Sequence, residues 1–136
     1  MVLQELVENI GVLSKAYANT YITNDITKMN TQDDIIYPVI GITQNSHQID
    51  DYGDNITYSF NIFYVDRLLD DWESNDVEIQ SDGIIILNSL LRQIKNELDV
   101  DIEDKRVTPF NQRFTDECAG VYLTCNIITP VIRECD

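Results

Sequence analysis

Apolar and polar residues alternate along the stretch 56–66, which reads Ile-Thr-Tyr-Ser-Phe-Asn-Ile-Phe-Tyr-Val-Asp. Every second position of this stretch is a large apolar residue: Tyr58, Phe60, Ile62 and Tyr64. A period of two is typical of a strand with one buried face. The opposite face begins polar and turns apolar at Phe63 and Val65. We therefore predict that this stretch is the central strand of a sheet.

Two segments have apolar residues spaced by three and four, which is typical of amphipathic helices. The first predicted helix covers 1–18, from about residue 2, and its apolar stripe is Leu3, Leu6, Ile10, Leu13 and Tyr17. The second follows Ser81, a candidate N-cap with Asp82 in the first turn, where an acidic side chain suits the helix dipole. Its stripe is Ile84, Leu87, Leu91, Ile94 and Leu98.

Three further strands are predicted, at 35–43, 106–114 and 121–129. Pro38 and Pro109 cannot donate to a strand ladder, so both positions are expected at sheet edges or bulges. The segment 115–120 is predicted as a turn in which Gly120 takes a positive φ. The segments 44–55 and 67–80 are predicted as projecting loops because both are polar and longer than a tight hairpin turn.

This order of elements predicts one α+β domain covering 1–136. The sheet is expected to be mainly antiparallel and four-stranded, with both helices packed on one face.

The charge of the chain restricts its functions. It has 24 acidic and 9 basic residues, for a formal net charge of -15. Tight binding to DNA needs cations that displace phosphate counterions, so a DNA-gripping role is not expected. The three cysteines are odd in number and have no C-x-x-C spacing, and with no basic, cleavable leader at the amino terminus we expect reduced thiols in a protein that stays in the cytoplasm where it is made.

Reactive groups are scarce. His47 is the one histidine, no serine lies in a G-x-S-x-G elbow, and the glycines are isolated. The segment beginning at Asp99 copies the first three ligand positions of a calcium loop, but Asp104 and Phe110 occupy the positions of the required glycine and glutamate. We expect no catalytic residues, no metal site and no cofactor. A metal-dependent enzyme using the aspartates is an alternative.

Three blocks of the chain carry a family resemblance: Tyr58-Ser-Phe-Asn-Ile-Phe-Tyr-Val-Asp-Arg, then Ser81-Asp-Gly-Ile-Ile-Ile-Leu-Asn-Ser-Leu-Leu, then Phe110-Asn-Gln-Arg-Phe-Thr-Asp-Glu-Cys-Ala-Gly-Val-Tyr-Leu-Thr. Over about 35–130 the arrangement resembles tailed-bacteriophage neck and tail-terminator proteins, in the style of the ring proteins of crAss-like phages. The resemblance implies a structural virion protein that forms a closed ring of six or twelve copies around the DNA channel at the head-tail connector. It implies no enzyme activity.

The implied partners are copies of the chain, with the portal and other neck or tail proteins above and below. DNA would pass through the ring without specific binding, and no membrane is involved. The implied location is the virion, after synthesis in the bacterial cytoplasm. The candidate subunit-interface residues are Tyr52, Leu68, Leu69 and Trp72, and the candidate loop or lumen acids are Asp50, Asp51 and Asp54. The alternative from another class is an acidic binding module, a DNA mimic or inhibitor acting on a host protein.

Overall fold

The computed structural model describes residues 2–22, 37–67, 75–113 and 117–130. Within these ranges the chain forms two helices and six strands. In chain order they are α1 (Leu3–Ser14), β1 (Asn19–Ile22), β2 (Val39–Gln44), β3 (Gln48–Ile49), β4 (Asn55–Arg67), α2 (Asp76–Leu98), β5 (Asp101–Arg113) and β6 (Glu117–Pro130).

The strands form one mixed sheet in the order β1-β2-β4-β6-β5, with β3 pairing with β4 beside β2. The predicted four-stranded, mainly antiparallel sheet is therefore wrong in strand number, and it missed the parallel pair of β1 and β2. The sequence predicts no strand at β1 because this strand is four residues long, too short to show a period of two.

The predicted central strand is central in the sheet. β4 pairs with β6 along its whole length, from Asn55 opposite Pro130 to Arg67 opposite Cys118. Its other edge pairs with β2 and then with β3. The alternation in the sequence therefore marks the strand that holds most of the sheet together.

One face of the sheet and the two described helices share a single apolar core. Its fully buried large side chains include Leu6 and Ile10 of α1, Leu87, Leu90 and Ile94 of α2, and Phe60, Ile62, Leu123 and Ile127 of the sheet. Each such side chain stabilises the fold by roughly 1.5–3 kcal/mol when it leaves water. A second, smaller cluster on the opposite face contains Val39, Val65 and Cys118.

Both helix predictions differ from the structure at one end. α1 ends at Ser14, where the Ser14 hydroxyl donates to the carbonyl of Ile10, and the chain then turns into β1. α2 begins at Asp76, not after Ser81, so Ser81 lies inside the helix. Asp76 and Glu78 favour this earlier start because acidic side chains in the first turn interact well with the helix dipole.

The last two strands are longer than predicted. β5 begins at Asp101, in a segment whose charges suggest a loop, because the strand tolerates a bulge in which Asp104 has a φ of 54°. β5 lies at the edge of the sheet, as predicted from Pro109.

Gly120 lies within β6 and has no positive φ, so its predicted turn role is wrong. A Cβ atom there would be 2.0 Å from the Tyr64 carbonyl oxygen. Glycine is therefore needed for the close approach of β4 and β6.

The segment 44–55, predicted as a projecting loop, contains β3 and a short turn into β4. Of the second predicted loop, 67–80, residues 76–80 belong to α2. Residues 68–74, with Leu68, Leu69 and Trp72, lie outside the described ranges. Neither helix of the described ranges is long and apolar enough to cross a membrane.

Candidate functional site

The turn between β3 and β4, residues 49–55, forms a hairpin tip held by the carboxylate of Asp50. One oxygen of Asp50 accepts from the backbone N–H of Asp54 at 2.8 Å, and the other accepts from the N–H of Asn55 at 3.1 Å. Gly53 supplies the positive φ of 69° that the turn requires. Asp50, predicted as a loop or lumen acid, therefore has a structural role in the tip.

The hairpin tip exposes two apolar side chains next to its acids. Tyr52 is 86% exposed and Ile49 is 68% exposed. Asp51 and Asp54 are also exposed. An exposed tyrosine beside an exposed isoleucine is unusual enough at a turn to indicate a contact surface, because aromatic residues are enriched at interfaces.

The one histidine of the chain has a structural role at the break between β2 and β3. Its Nδ1 accepts from the backbone N–H of Ser59 at 3.2 Å, and its Nε2 lies 3.0 Å from the side-chain oxygen of Gln44. The ring also packs edge-on against Tyr58, with centroids 5.2 Å apart. His47 thus satisfies a donor of β4 that the irregular β2–β3 edge leaves without a backbone carbonyl.

A groove of about 300 Å³ lies between α2 and the edge strand β5. It is lined by Ile84, Ile85, Leu87, Asn88, Leu91, Lys105, Val107 and Leu123. Two of these side chains, Ile84 and Ile85, are 46% and 63% exposed. This α2–β5 groove is therefore a largely apolar surface, and it lies near the opposite edge of the sheet from the hairpin tip.

The only charged residue that lines this groove in the described part of the chain is Lys105. Lys95 extends the same stripe of α2, since it follows Asn88 by seven residues, or about two helical turns. The carboxylate of Asp104, which is next to Lys105, accepts from Asn126 on the opposite face. The groove is consequently bordered by positive charge in a strongly acidic protein.

The sheet face opposite the helices carries a polar network and an aromatic cluster. The side-chain amides of Asn45 and Asn61 bond to each other, and the Thr124 hydroxyl donates to Asn61 at 3.0 Å. Farther along, Phe63, Phe110 and Tyr122 form a cluster with centroids 5.8–6.4 Å apart. An open basin of about 550 Å³ lies beside it, with Arg106 and Thr108 in its lining.

The described thiols, Cys118 and Cys125, are buried and form no disulfide with each other. Burial raises the pKa of the Cys125 thiol to about 12, although the charge of Lys105 acts in the opposite direction. The Cys118 thiol donates to the Tyr37 hydroxyl at 3.4 Å. A thiol with so high a pKa is a poor nucleophile at neutral pH.

No group of three or more His, Cys, Asp or Glu side chains in the described ranges is arranged to hold a metal ion. Of the predicted site residues, Asp50, Asp51, Tyr52 and Asp54 are brought together at the hairpin tip. The other three, Leu68, Leu69 and Trp72, lie outside the described ranges, so their predicted interface role stays a prediction.

Sequence reasoning missed the α2–β5 groove because it placed Ile84 on the buried stripe of α2. The buried residues of this helix are Ile79, Gly83, Leu87, Leu90, Leu91 and Ile94. The run Ile84-Ile85-Ile86 contains a signal for the groove, since three consecutive residues on a helix cannot all face one side.

No protein-family model and no curated protein matches the chain. The functional conclusion therefore depends on the resemblance of the three sequence blocks, on the surfaces that the fold presents and on the charge of the chain.

Proposed function

We propose that this protein is a structural, non-catalytic subunit of a closed ring in a phage head-tail connector, neck or tail terminator. The ring would surround the DNA channel and contact portal, neck or tail proteins above and below. The proposal has two sources: the family resemblance of the three sequence blocks, and the surfaces that the fold presents.

The observation that carries the proposal is the position of the exposed apolar side chains. Ile49 and Tyr52 lie beside one edge of the sheet, and Ile84 and Ile85 lie beside the other. Apolar surface at two different places on one subunit suits a head-to-tail contact, and repeated head-to-tail contacts produce rings when the rotation closes.

The edge strand β5 supports the same conclusion. Among the described residues, its ladder partner is β6 alone, so its outer edge is open over most of 13 residues. Free sheet edges attract other chains unless they are protected, and here the bulge at Asp104 and the proline at 109 are the protective features. These two features limit non-specific pairing at this edge. Limited pairing fits a subunit that accepts only a specific neighbour in an assembly.

The charge of -15 fits a channel that DNA crosses without adhering. Phosphate groups and carboxylates repel each other, so an acidic lumen offers no counterion-release gain to bound DNA. The same charge opposes assembly at low ionic strength, because subunits of like charge repel until salt screens them.

The test is the oligomeric state of purified protein at about 0.05 and 0.5 M salt, measured by native mass spectrometry and negative-stain microscopy. We expect closed rings of uniform diameter, favoured by the higher salt. Monomers at every protein and salt concentration, also in the presence of a portal protein, would contradict the proposal. A stable monomer that displaced DNA from a host DNA-binding protein would instead support the acidic inhibitor.

A further inference from the structure

We infer that the hairpin tip of one subunit docks in the α2–β5 groove of the next copy of the chain. This inference rests on the proposed ring function and specifies its contact. The occupant is a second copy because the tip and the groove are complementary in polarity and charge and belong to the same chain.

The apolar parts match in kind and size. The tip offers Tyr52, 86% exposed, with Ile49 at 68%. The groove offers about 300 Å³ next to the exposed side chains of Ile84 and Ile85. A tyrosine ring that enters an apolar groove removes both surfaces from water, and buried aromatic anchors carry much of the energy of protein interfaces.

The charges are complementary as well. The tip holds three aspartates within five residues, so it carries a net negative charge. The carboxylate of Asp50 accepts hydrogen bonds within the turn. Lys105 lines the groove, and Lys95 continues its α2 border. In a protein of net charge -15, a groove with lysines at its border is a surface to which an acidic tip of another copy is attracted.

The positions of the two surfaces allow one subunit to contact two neighbours. β3 and β5 are separated by β4 and β6, which puts the two strands about 14 Å apart across the sheet. A subunit that uses its tip on one neighbour thus keeps its groove available for another neighbour. The contact is head-to-tail, so it propagates around a ring instead of ending at a dimer.

The test uses three variants of the full chain. The tip variant carries Ile49→Thr and Tyr52→Ser, and the groove variant carries Ile84→Glu and Ile85→Glu. The control variant carries Val12→Glu, which changes a similarly exposed apolar residue on α1 (65% exposed). All the changed side chains are substantially exposed, and circular dichroism with thermal melting would verify that each variant folds.

We expect the tip and groove variants each to weaken self-association about tenfold or more by sedimentation velocity, while the control assembles like the unmodified chain. Mixing the tip and groove variants should give one-to-one heterodimers and nothing larger, because only one intact tip meets one intact groove. Unchanged assembly of both variants, or a mixture that stays monomeric, would overturn the docking contact while the ring itself survives.

A covalent version of the test places cysteines at Tyr52 and Ile85 of a Cys135→Ser chain. Oxidation should link subunits into covalent ladders when Tyr52→Cys and Ile85→Cys are present in the same chain, and only into dimers when chains carrying one change each are mixed. Single-cysteine chains that cross-link equally well would show a symmetric contact and overturn the inference. If the unmodified chain does not assemble at all, the proposed ring function fails together with the docking contact. If it assembles but the variants assemble equally well, only the docking contact fails.

Discussion

Single residues in this protein are constrained by close contacts more than by sequence motifs. Gly83 lets α2 approach the sheet, because a Cβ there would lie 2.7 Å from a methyl carbon of Val121 and 2.8 Å from the Tyr64 ring. Gly120 allows an even closer approach, to the Tyr64 carbonyl. Neither requirement is visible in the sequence, where an isolated glycine indicates a turn as readily as a packing contact.

Gly120→Ala should lower the free energy of unfolding by about 3 kcal/mol or more, because β4 and β6 must separate to admit the methyl group. Gly53→Ala is the matched control: its φ of 69° is strained for alanine, but no atom lies within 4 Å of the added Cβ. The control should cost only about 1–2 kcal/mol. Urea unfolding measures both values, and equal losses would contradict the role assigned to Gly120.

Cys125 should make the protein less stable in alkali. Burial raises the pKa of its thiol to about 12 in the folded protein, from an ordinary value of 9.0. The folded state therefore keeps a proton that the unfolded state releases, and this contribution to stability is present below pH 9 and is lost as the pH rises from 9 towards 12. The loss is up to about 1.4 kcal/mol per pH unit.

The measurement is urea unfolding at pH 8, 9 and 10 for the unmodified chain and for Cys125→Ala. The variant should show the shallower decline between pH 9 and 10, while other titrating groups contribute equally to both proteins. Identical slopes would mean that the thiol is not shielded from water in the folded state.

At the scale of elements, the ends of helices and strands depend on backbone conformations that the pattern of apolar and polar residues does not reveal. α2 ends at Leu98, and the φ of 51° and ψ of 50° of its C-cap residue, Asp99, place that residue in the left-handed region. Glycine is the usual residue there because it lacks a Cβ, and a negative charge at a helix C-terminus is unfavourable. The chain then leaves the helix and enters β5 within two residues.

Asp99→Gly should therefore stabilise the protein by about 0.5–1 kcal/mol, through removal of backbone strain and of the unfavourable charge. Asp99→Ala removes the charge but keeps the strain, so it should give no gain or a small loss. The melting temperatures of the unmodified chain and the two variants give their order of stability. A glycine variant that melts below the alanine variant would contradict the backbone strain assigned to Asp99, and two variants that both melt below the unmodified chain would show that the aspartate side chain makes a stabilising contact.

At the scale of the whole molecule, charge opposes compactness. An excess of 15 negative charges in 136 residues produces self-repulsion that is strongest at low ionic strength. The Debye length shrinks from about 30 Å at 0.01 M salt to about 10 Å at 0.1 M, so added salt screens charges on opposite sides of the domain.

The melting temperature should therefore rise when sodium chloride is increased from about 0.01 to 0.5 M at pH 7, as measured by calorimetry at low protein concentration. The control is the same pair of salt concentrations near pH 4, close to the sequence pI of about 4.1, where the salt effect should disappear. A melting temperature that falls with salt at pH 7 would show that attractive ion pairs outweigh the repulsion.

The sequence alone was sufficient for features that depend on one element and its solvent. The alternation around Phe60 identified the central strand, the apolar stripes identified both helices, and Pro109 placed its strand at an edge. The charge also predicts that the protein does not grip DNA, and this stays a prediction. These features are local because burial of one face of a strand or helix leaves a periodic trace in the chain.

Only the tertiary structure decided which strands pair and what reaches the surface. Three contacts join residues whose partners cannot be read from their spacing in the sequence. They are the parallel pairing of β1 with β2, the hydrogen bonds of Asp50 in the hairpin tip, and the hydrogen bond from the Ser59 N–H to the His47 ring. The exposure of Ile84 and Ile85 likewise follows from how α2 lies on the sheet. Pairing and exposure are set by long-range contacts, and local periodicity carries no record of those contacts.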